Sequence, residues 1–118
     1  MLKCAQSSIT TYSDRRDKTD IVDSTDGLNI INAIKPRKFT WQSRTPDARD
    51  GKTQLGFIAQ EIDEVLGDKN DYIHMVDKTD PDSLLIGESR LIPIFVKAIQ
   101  ELSAENTALK QRLDAAGL

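Results

Sequence analysis

Residues 92–113 read IPIFVKAIQELSAENTALKQRL, and this stretch decides the architecture of the chain. Apolar side chains recur at alternating steps of three and four, which is the period of a helix with one continuous apolar edge. The a and d positions of these heptads form what we call the heptad stripe: Ile92, Phe95, Ile99, Leu102, Asn106, Leu109 and Leu113. The pattern predicts a long helix, from about Ser89 to Ala116, that forms a coiled coil with other copies of the chain.

Two polar features of the heptad stripe indicate how the copies would align. Asn106 occupies an a position, where a buried amide costs stability and fixes the register between chains. Glu105 at g and Lys110 at the following e bring opposite charges together between parallel neighbours. The alternative is an ordinary amphipathic helix lying on its own domain, but the stripe is narrow for a core-facing helix. We therefore expect a parallel coiled coil.

The start of this helix is apolar over a wider arc than the rest. We expect Ser89 to be the N-cap, and Pro93 fits because proline is tolerated in the first turn of a helix. Further apolar residues accompany the stripe at this end, namely Leu91, Ile94, Val96 and Ala98. This end is therefore expected to pack against the rest of the chain as well as along the stripe.

The residues before the helix, 13–88, predict a small mixed α+β body without internal repeats. The spacing of apolar residues predicts short helices and strands, and Gly, Pro and Asp mark the turns between them. The predicted helices cover 28–34, ended by Pro36, and 59–66, ended by Gly67. The predicted strands cover 38–42 (with Phe39 and Trp41 on one face), 54–58, 72–76 and 84–86.

Composition argues against several classes of function. The 118 residues suffice for one domain, and 38% hydrophobic residues indicate a modest core that association with other copies would supplement. A net charge of −3 offers no electrostatic footprint for nucleic acid. No apolar run reaches the roughly 18 residues that a membrane span needs. The single cysteine, Cys4, cannot form a disulfide within the chain.

The polar residues of the body suggest neither a metal nor a cofactor. His74 has no second histidine or cysteine pair beside it, and we expect it to be a half-buried strand residue. Asp77, Asp80 and Asp82 lack the spacing of a calcium loop and are expected to form turns. The glycines are isolated, so no phosphate-binding loop is predicted. We expect the protein to need no cofactor.

Ser13 and Lys18 are the remaining pair with possible chemistry. A serine hydroxyl is a poor nucleophile unless a nearby base takes its proton, and a lysine can be that base when burial favours its neutral amine. A serine followed by Asp14 and Arg16 is also a common helix cap or turn former. The residue types alone leave both interpretations open.

Four short motifs, read in order, carry a family resemblance. They are Ser13-Asp14-x-Arg16-x-Lys18 followed by Ile21; Gly27-Leu28 with Ile31-Asn32-Ala33, Lys35-Pro36 and Phe39; Gly56-Phe57-x-Ala59-Gln60-Glu61; and Ala98-Ile99-Gln100-Glu101-Leu102. Together they resemble the intramolecular chaperone, or auto-processing, domain at the C-termini of phage endosialidase tailspikes and of many tail fibres. The likeness covers roughly residues 13–113.

The resemblance implies both an assembly and a reaction. Domains of this family form homotrimers, assist folding of the upstream β-structured fibre of the same chain, and then cleave themselves off. The cut would fall at the Tyr12–Ser13 bond, with Ser13 as the nucleophile and Lys18 as the general base of a serine–lysine dyad. Asp14 and Arg16 match the other fixed positions of the motif and are expected to orient the site.

The same resemblance divides the chain and gives it a location. Residues 1–12 would end the upstream fibre segment, 13–88 would be the chaperone body, and 89–118 would be the coiled coil. The protein would be a tail-fibre or tail-spike precursor of a phage virion, assembled in the host cytoplasm, and the domain would be released after cleavage. The alternative is a structural trimer module that stays uncut at the fibre tip. A free-standing enzyme acting on other molecules has no pocket-forming motif behind it.

Overall fold

The computed structural model of the chain describes residues 10–44 and 47–117. It is a small mixed α+β body followed by a long C-terminal helix, as the sequence predicts. The elements are, in chain order, α1 (Leu28–Ile31), β1 (Arg37–Thr40), β2 (Thr53–Gly56), α2 (Ala59–Leu66), α3 (Asn70–Ile73), β3 (Val76–Asp77), β4 (Leu85–Ile86) and α4 (Ile92–Ala115). Short 3-10 turns cover Arg15–Asp17, Gly67–Lys69 and Glu88–Leu91.

The strands form two separate antiparallel pairs. β1 pairs with β2 so that Thr40 lies opposite Thr53, and β3 pairs with β4 so that Val76 lies opposite Ile86. The predicted shared face of β1 is confirmed, since the rings of Phe39 and Trp41 meet edge to face with centroids 5.3 Å apart.

The core lies between the helices and the β3–β4 pair. α2 begins at Ala59 and ends before Gly67, as predicted, because its apolar residues repeat at helical spacing and Gly67 adopts a positive φ of 54°. Its Ile62 has no exposed surface at all. The buried apolar residues are Ile30, Ile62, Leu66, Ile73, Met75, Val76, Leu91, Ile94 and Ala98.

Helix α4 carries two neighbouring rows of residues that face different ways. The row that packs on the body, which we call the body stripe, consists of Leu91 in the 3-10 turn just before the helix and of Ile94, Ala98 and Glu101 within it. The apolar residues of the heptad stripe lie one residue further round and are exposed. The wider apolar start of the helix is thus confirmed as a body contact, although Val96 is exposed and takes no part in it.

The predicted strand at residues 72–76 is wrong. Residues Asn70–Ile73 form α3, and His74 ends it in the left-handed conformation (φ 56°, ψ 35°) instead of lying half-buried in a strand. The cause is Asn70, whose side-chain amide accepts from the Val76 N–H (3.0 Å) and donates to the Val76 carbonyl (2.9 Å). This clamp turns the chain back on itself, and β3 begins only at Val76. His74 is exposed.

Two helix starts or ends also differ from the expectation. α1 ends at Ile31, three residues before the predicted end, and a tighter turn follows in which the Ala33 N–H donates to the Ile30 carbonyl at 3.0 Å. Ser89 is not an N-cap, because it lies inside the 3-10 turn that leads into α4 at Ile92.

The expected end of an upstream segment, residues 1–12, falls mostly outside the described residues, as does Cys4. Residues 10–12 are described and have no regular structure. The division into 1–12, 13–88 and 89–118 therefore stays a prediction. Among the described residues, no helix is both long enough and apolar enough to cross a membrane.

Candidate functional site

A tight turn near the N-terminus brings the predicted dyad residues together. The Asp14 carboxylate accepts the Arg16 N–H at 2.8 Å and so caps the 3-10 turn. The turn closes when the Lys18 N–H donates to the Arg15 carbonyl at 3.1 Å. It places the side chains of Ser13 and Lys18 on the same side, five residues apart in sequence.

The central contact of the site joins these two side chains. Nζ of Lys18 donates to Oγ of Ser13 at 2.7 Å, within the reach that a nucleophile and its general base need. In this direction the ammonium holds the proton. The same short path would carry the hydroxyl proton of Ser13 to a neutral amine, as the predicted dyad requires.

Asp14 and Arg16 bind each other and do not touch the dyad. Oδ2 of Asp14 lies 2.7 Å from Nη2 of Arg16, and Oδ1 accepts from Nε at 3.1 Å. The Arg16 side chain, followed by its backbone N–H, lowers the pKa of Asp14, and the same pair raises the pKa of Arg16. The pair remains charged at neutral pH and holds the shape of the turn.

The turn belongs to a segment that stands away from the body. We call residues 10–25 the N-terminal arm; every one of them is exposed, and Tyr12 is exposed in full. Two apolar residues of the arm, Ile21 and Val22, remain 64% and 85% exposed. Lys18 is exposed as well, and no residue in the described part of the chain covers it.

The arm joins the body at a buried carboxylate that sequence reasoning missed. The Asp26 side chain, 7% exposed, accepts from Nζ of Lys69 at 2.8 Å and from the Tyr72 hydroxyl at 2.7 Å. Lys69 and then Tyr72 lower the pKa of Asp26 against the opposing effect of burial. No local pattern in the sequence indicates this cluster, because the partners of Asp26 lie more than 40 positions away.

The next two residues dock on α4. The Leu28 N–H donates to Oε1 of Glu101 at 2.7 Å, and Gly27 lies so close to α4 that a β-carbon there would be 2.9 Å from the Ala98 nitrogen. Asp26, Gly27 and Leu28 therefore fix the point at which the N-terminal arm leaves the body.

The second predicted functional surface is the heptad stripe of α4. All of its residues are exposed in the single chain, including Ile99 at 65% and Leu102 at 53%. A row of large apolar side chains along about 30 Å of helix is unusual on the surface of a monomer. The stripe is therefore available for other copies.

The residues considered for metal binding do not form a site. The Asp77 carboxylate accepts the Thr79 N–H at 2.9 Å, and the Asp80 carboxylate accepts the Asp82 N–H at 3.0 Å, which is the turn chemistry expected of them. Within the described ranges no group of three or more potential ligands is close enough to hold a metal ion.

Comparison with known families gives one match. A family model described as chaperone of endosialidase (Peptidase_S74) matches residues 13–70, about half of the chain. The match begins at Ser13 and covers the arm from that residue onward, the β1–β2 hairpin and α2. No curated protein and no solved structure matches the chain.

Proposed function

We propose, from the premise that residues 13–70 belong to the chaperone-of-endosialidase family, that this chain is the C-terminal intramolecular chaperone of a phage tail-spike or tail-fibre protein. It forms a homotrimer, assists folding of the fibre that precedes it in the same chain, and then cuts itself off. The precursor assembles in the host cytoplasm, and the released domain is absent from the finished tail.

The observation that carries the reaction is the 2.7 Å contact between Lys18 and Ser13 at the first position of the family match. Oγ of Ser13 attacks the carbonyl carbon of Tyr12 while the neutral Lys18 amine takes the hydroxyl proton. That proton passes to the Ser13 nitrogen as the peptide bond breaks, which leaves Tyr12 esterified to Ser13. Water then hydrolyses the ester, so one peptide bond is exchanged for one carboxyl group and one amine.

Intramolecular geometry makes a substrate pocket unnecessary. The hydroxyl and the carbonyl that it attacks belong to adjacent residues, so the reaction needs no bimolecular encounter. The exposed position of Lys18 on the arm also supports a link between cutting and assembly. Neighbouring chains that close over the arm would remove water from the amine and favour its neutral form.

The exposed heptad stripe supports the assembly step. Three parallel copies of α4 would bury the stripe residues of each helix against the other two, with Asn106 fixing the register. The trimer itself is what the family resemblance implies, since an asparagine at an a position occurs in dimers as well. Light scattering on the purified chain measures the number of copies directly.

Intact mass of a protein with a longer upstream segment tests the reaction. We expect a fragment that begins at Ser13, and we expect Ser13→Ala and Lys18→Ala each to leave the chain uncut. Arg15→Ala is the matched control, because Arg15 is a basic residue on the same turn whose side chain makes no described contact. A fragment that persists in Ser13→Ala would refute the proposed nucleophile.

A second candidate is a trimer module that remains uncut at the fibre tip. It is favoured by the exposure of Ser13 and Lys18, which no residue in the described part of the chain covers. The same experiment decides, because an uncut wild-type chain that is nevertheless trimeric identifies this second function.

A further inference from the structure

An open groove of about 1010 Å³ lies between the two strand pairs. Consecutive residues of β1 and the loop after it line one wall, and residues 83–86 line the other, with Phe57 and Ile58 between them. Each residue of a strand in a packed sheet occupies about 160 Å³. This is the product of a rise of roughly 3.3 Å per residue, a distance of roughly 4.8 Å between strands and a distance of roughly 10 Å between sheets. The groove therefore has room for about six residues of extended chain.

Both walls of the groove present strand edges without a described partner. β1 pairs only with β2 and β4 only with β3 among the described residues. The Trp41 N–H donates to the Lys52 carbonyl at 2.8 Å, so the alternation of an antiparallel ladder turns the backbone groups of Thr40 away from β2. The Gly87 N–H donates to the Met75 carbonyl at 2.7 Å. By the same alternation, the backbone N–H and carbonyl of Ile86 point away from β3.

The N-terminal arm has the chemistry that such a groove would take up. Residues 19–25 read TDIVDST; they belong to no helix, are rich in β-branched side chains and are exposed throughout, and Asp20 alone among them has a positive φ, 55°. This segment has two aspartates and no basic residue, whereas residues 35–53 around the β1–β2 hairpin have six basic and two acidic residues. The charged residues that line the groove itself balance, because Arg44 and Arg49 lie beside Asp47 and Asp82, so what the segment and the groove share is the need for a strand partner.

We propose that residues 19–25 of one copy add as a strand in this groove of a second copy. The two strand pairs then become one sheet in the order β2, β1, arm, β4, β3. Ile21 and Val22 point to opposite faces of that sheet, so the one on the face towards the core loses its exposure to water. The second copy is the occupant because the arm lies outside the groove of its own chain, where all its residues are exposed. The proposal rests on the proposed assembly through α4, and it makes the neighbouring chain the element that covers the dyad.

Cross-linking between two marked copies tests this arrangement. In a Cys4→Ser background, one copy carries Val22→Cys and the other, with a size tag, carries Leu85→Cys; both positions are exposed in the single chain. The two are co-expressed and treated with a short bis-maleimide. We expect a product that joins one tagged and one untagged chain and that needs both cysteines. A single chain that carries both Val22→Cys and Leu85→Cys is treated in the same way. A link within that chain instead of between two chains would show that the proposal is wrong.

A proline pair supplies the matched control. Thr40→Pro removes an N–H from the edge of β1 that faces the groove, while Thr53→Pro removes one from the opposite edge of the same hairpin. Both variants lose the same Thr40–Thr53 hydroxyl contact of 3.0 Å. We expect Thr40→Pro to slow cross-linking about tenfold and Thr53→Pro to leave it unchanged, since only the first removes a bond to the added strand. Equal rates in the two variants would overturn the proposal.

Light scattering and intact mass on the same samples separate this inference from the proposed function. A trimer that cuts itself but gives no cross-link refutes the arm docking alone. A monomer refutes the assembly and the docking together.

Discussion

The backbone N–H of Leu28 donates to Oε1 of Glu101 at 2.7 Å, and this bond joins two parts of the chain that are 73 positions apart. It fixes the first turn of α1 on the body stripe of α4, directly after the arm that carries Ser13 and Lys18. The side chain of Glu101 thus acts as a cap supplied by another helix, because α1 receives no cap from Gly27.

Removal of this cap should destabilise the body. We expect Glu101→Ala to lower the free energy of unfolding by about 1–2 kcal/mol, since it leaves the half-buried Leu28 N–H without an acceptor. Urea denaturation at fixed protein concentration measures the change. Asp114→Ala, an exposed carboxylate of α4 outside the heptad stripe, is the control and should change stability by less than about 0.5 kcal/mol.

Gly27 should tolerate no side chain. A β-carbon there would collide with Oε1 of Glu101 and would lie 2.9 Å from the Ala98 nitrogen, where the helix backbone cannot give way. We expect Gly27→Ala to cost about 1–3 kcal/mol by overpacking. Gly87→Ala is the matched control, because its β-carbon would have neighbours no closer than 3.8 Å. Equal melting temperatures for the two variants would contradict the close approach of α1 to α4.

The Asp26 cluster should make stability depend on pH in the acid range. The pKa of Asp26 is lower in the folded chain than its usual value of about 3.9. Its contribution to the free energy of unfolding is therefore complete above that usual value and is lost as the pH falls through the folded pKa. We expect Asp26→Asn to cost about 1–3 kcal/mol at pH 7 and progressively less below about pH 4. Urea titrations at several pH values measure this difference, and the exposed Asp71→Asn serves as the control. A difference that does not change with pH would show that the charge of Asp26 is unimportant.

Disruption of the heptad stripe should abolish assembly and cutting together. Leu102→Asp with Leu109→Asp places charges at two d positions, where burial of an unpaired carboxylate is prohibitive. We expect a monomer by light scattering and an uncut chain by intact mass. The control is Ala104→Asp with Ala108→Asp, which adds the same charges to the same stretch of helix away from the stripe. Full cleavage by the monomer would refute the coupling of cutting to assembly.

The predictions that succeeded depend on interactions within a few residues. α2 is confirmed from Ala59 to Leu66 because helical periodicity and a terminating glycine act within one or two turns. The prediction of a strand at 72–76 is wrong because the side chain of Asn70 binds the backbone of Val76. The β-propensities of the residues do not include this contact. The proximity of Ser13 and Lys18 follows from a local turn, and its catalytic meaning stays a prediction until cutting is measured.

By itself, the sequence determined that this chain has an α+β body, a long amphipathic helix and a serine five residues before a lysine, since periodicity, turn residues and motif spacing are local properties. The tertiary structure alone decided which row of α4 faces the body. The body stripe and the heptad stripe lie one residue apart on the helix and differ in the residues that they contact. It also decided that Asp26 is buried between Lys69 and Tyr72 and that Glu101 caps α1. Such pairings between distant residues depend on the packing of the whole body, and no local pattern encodes them.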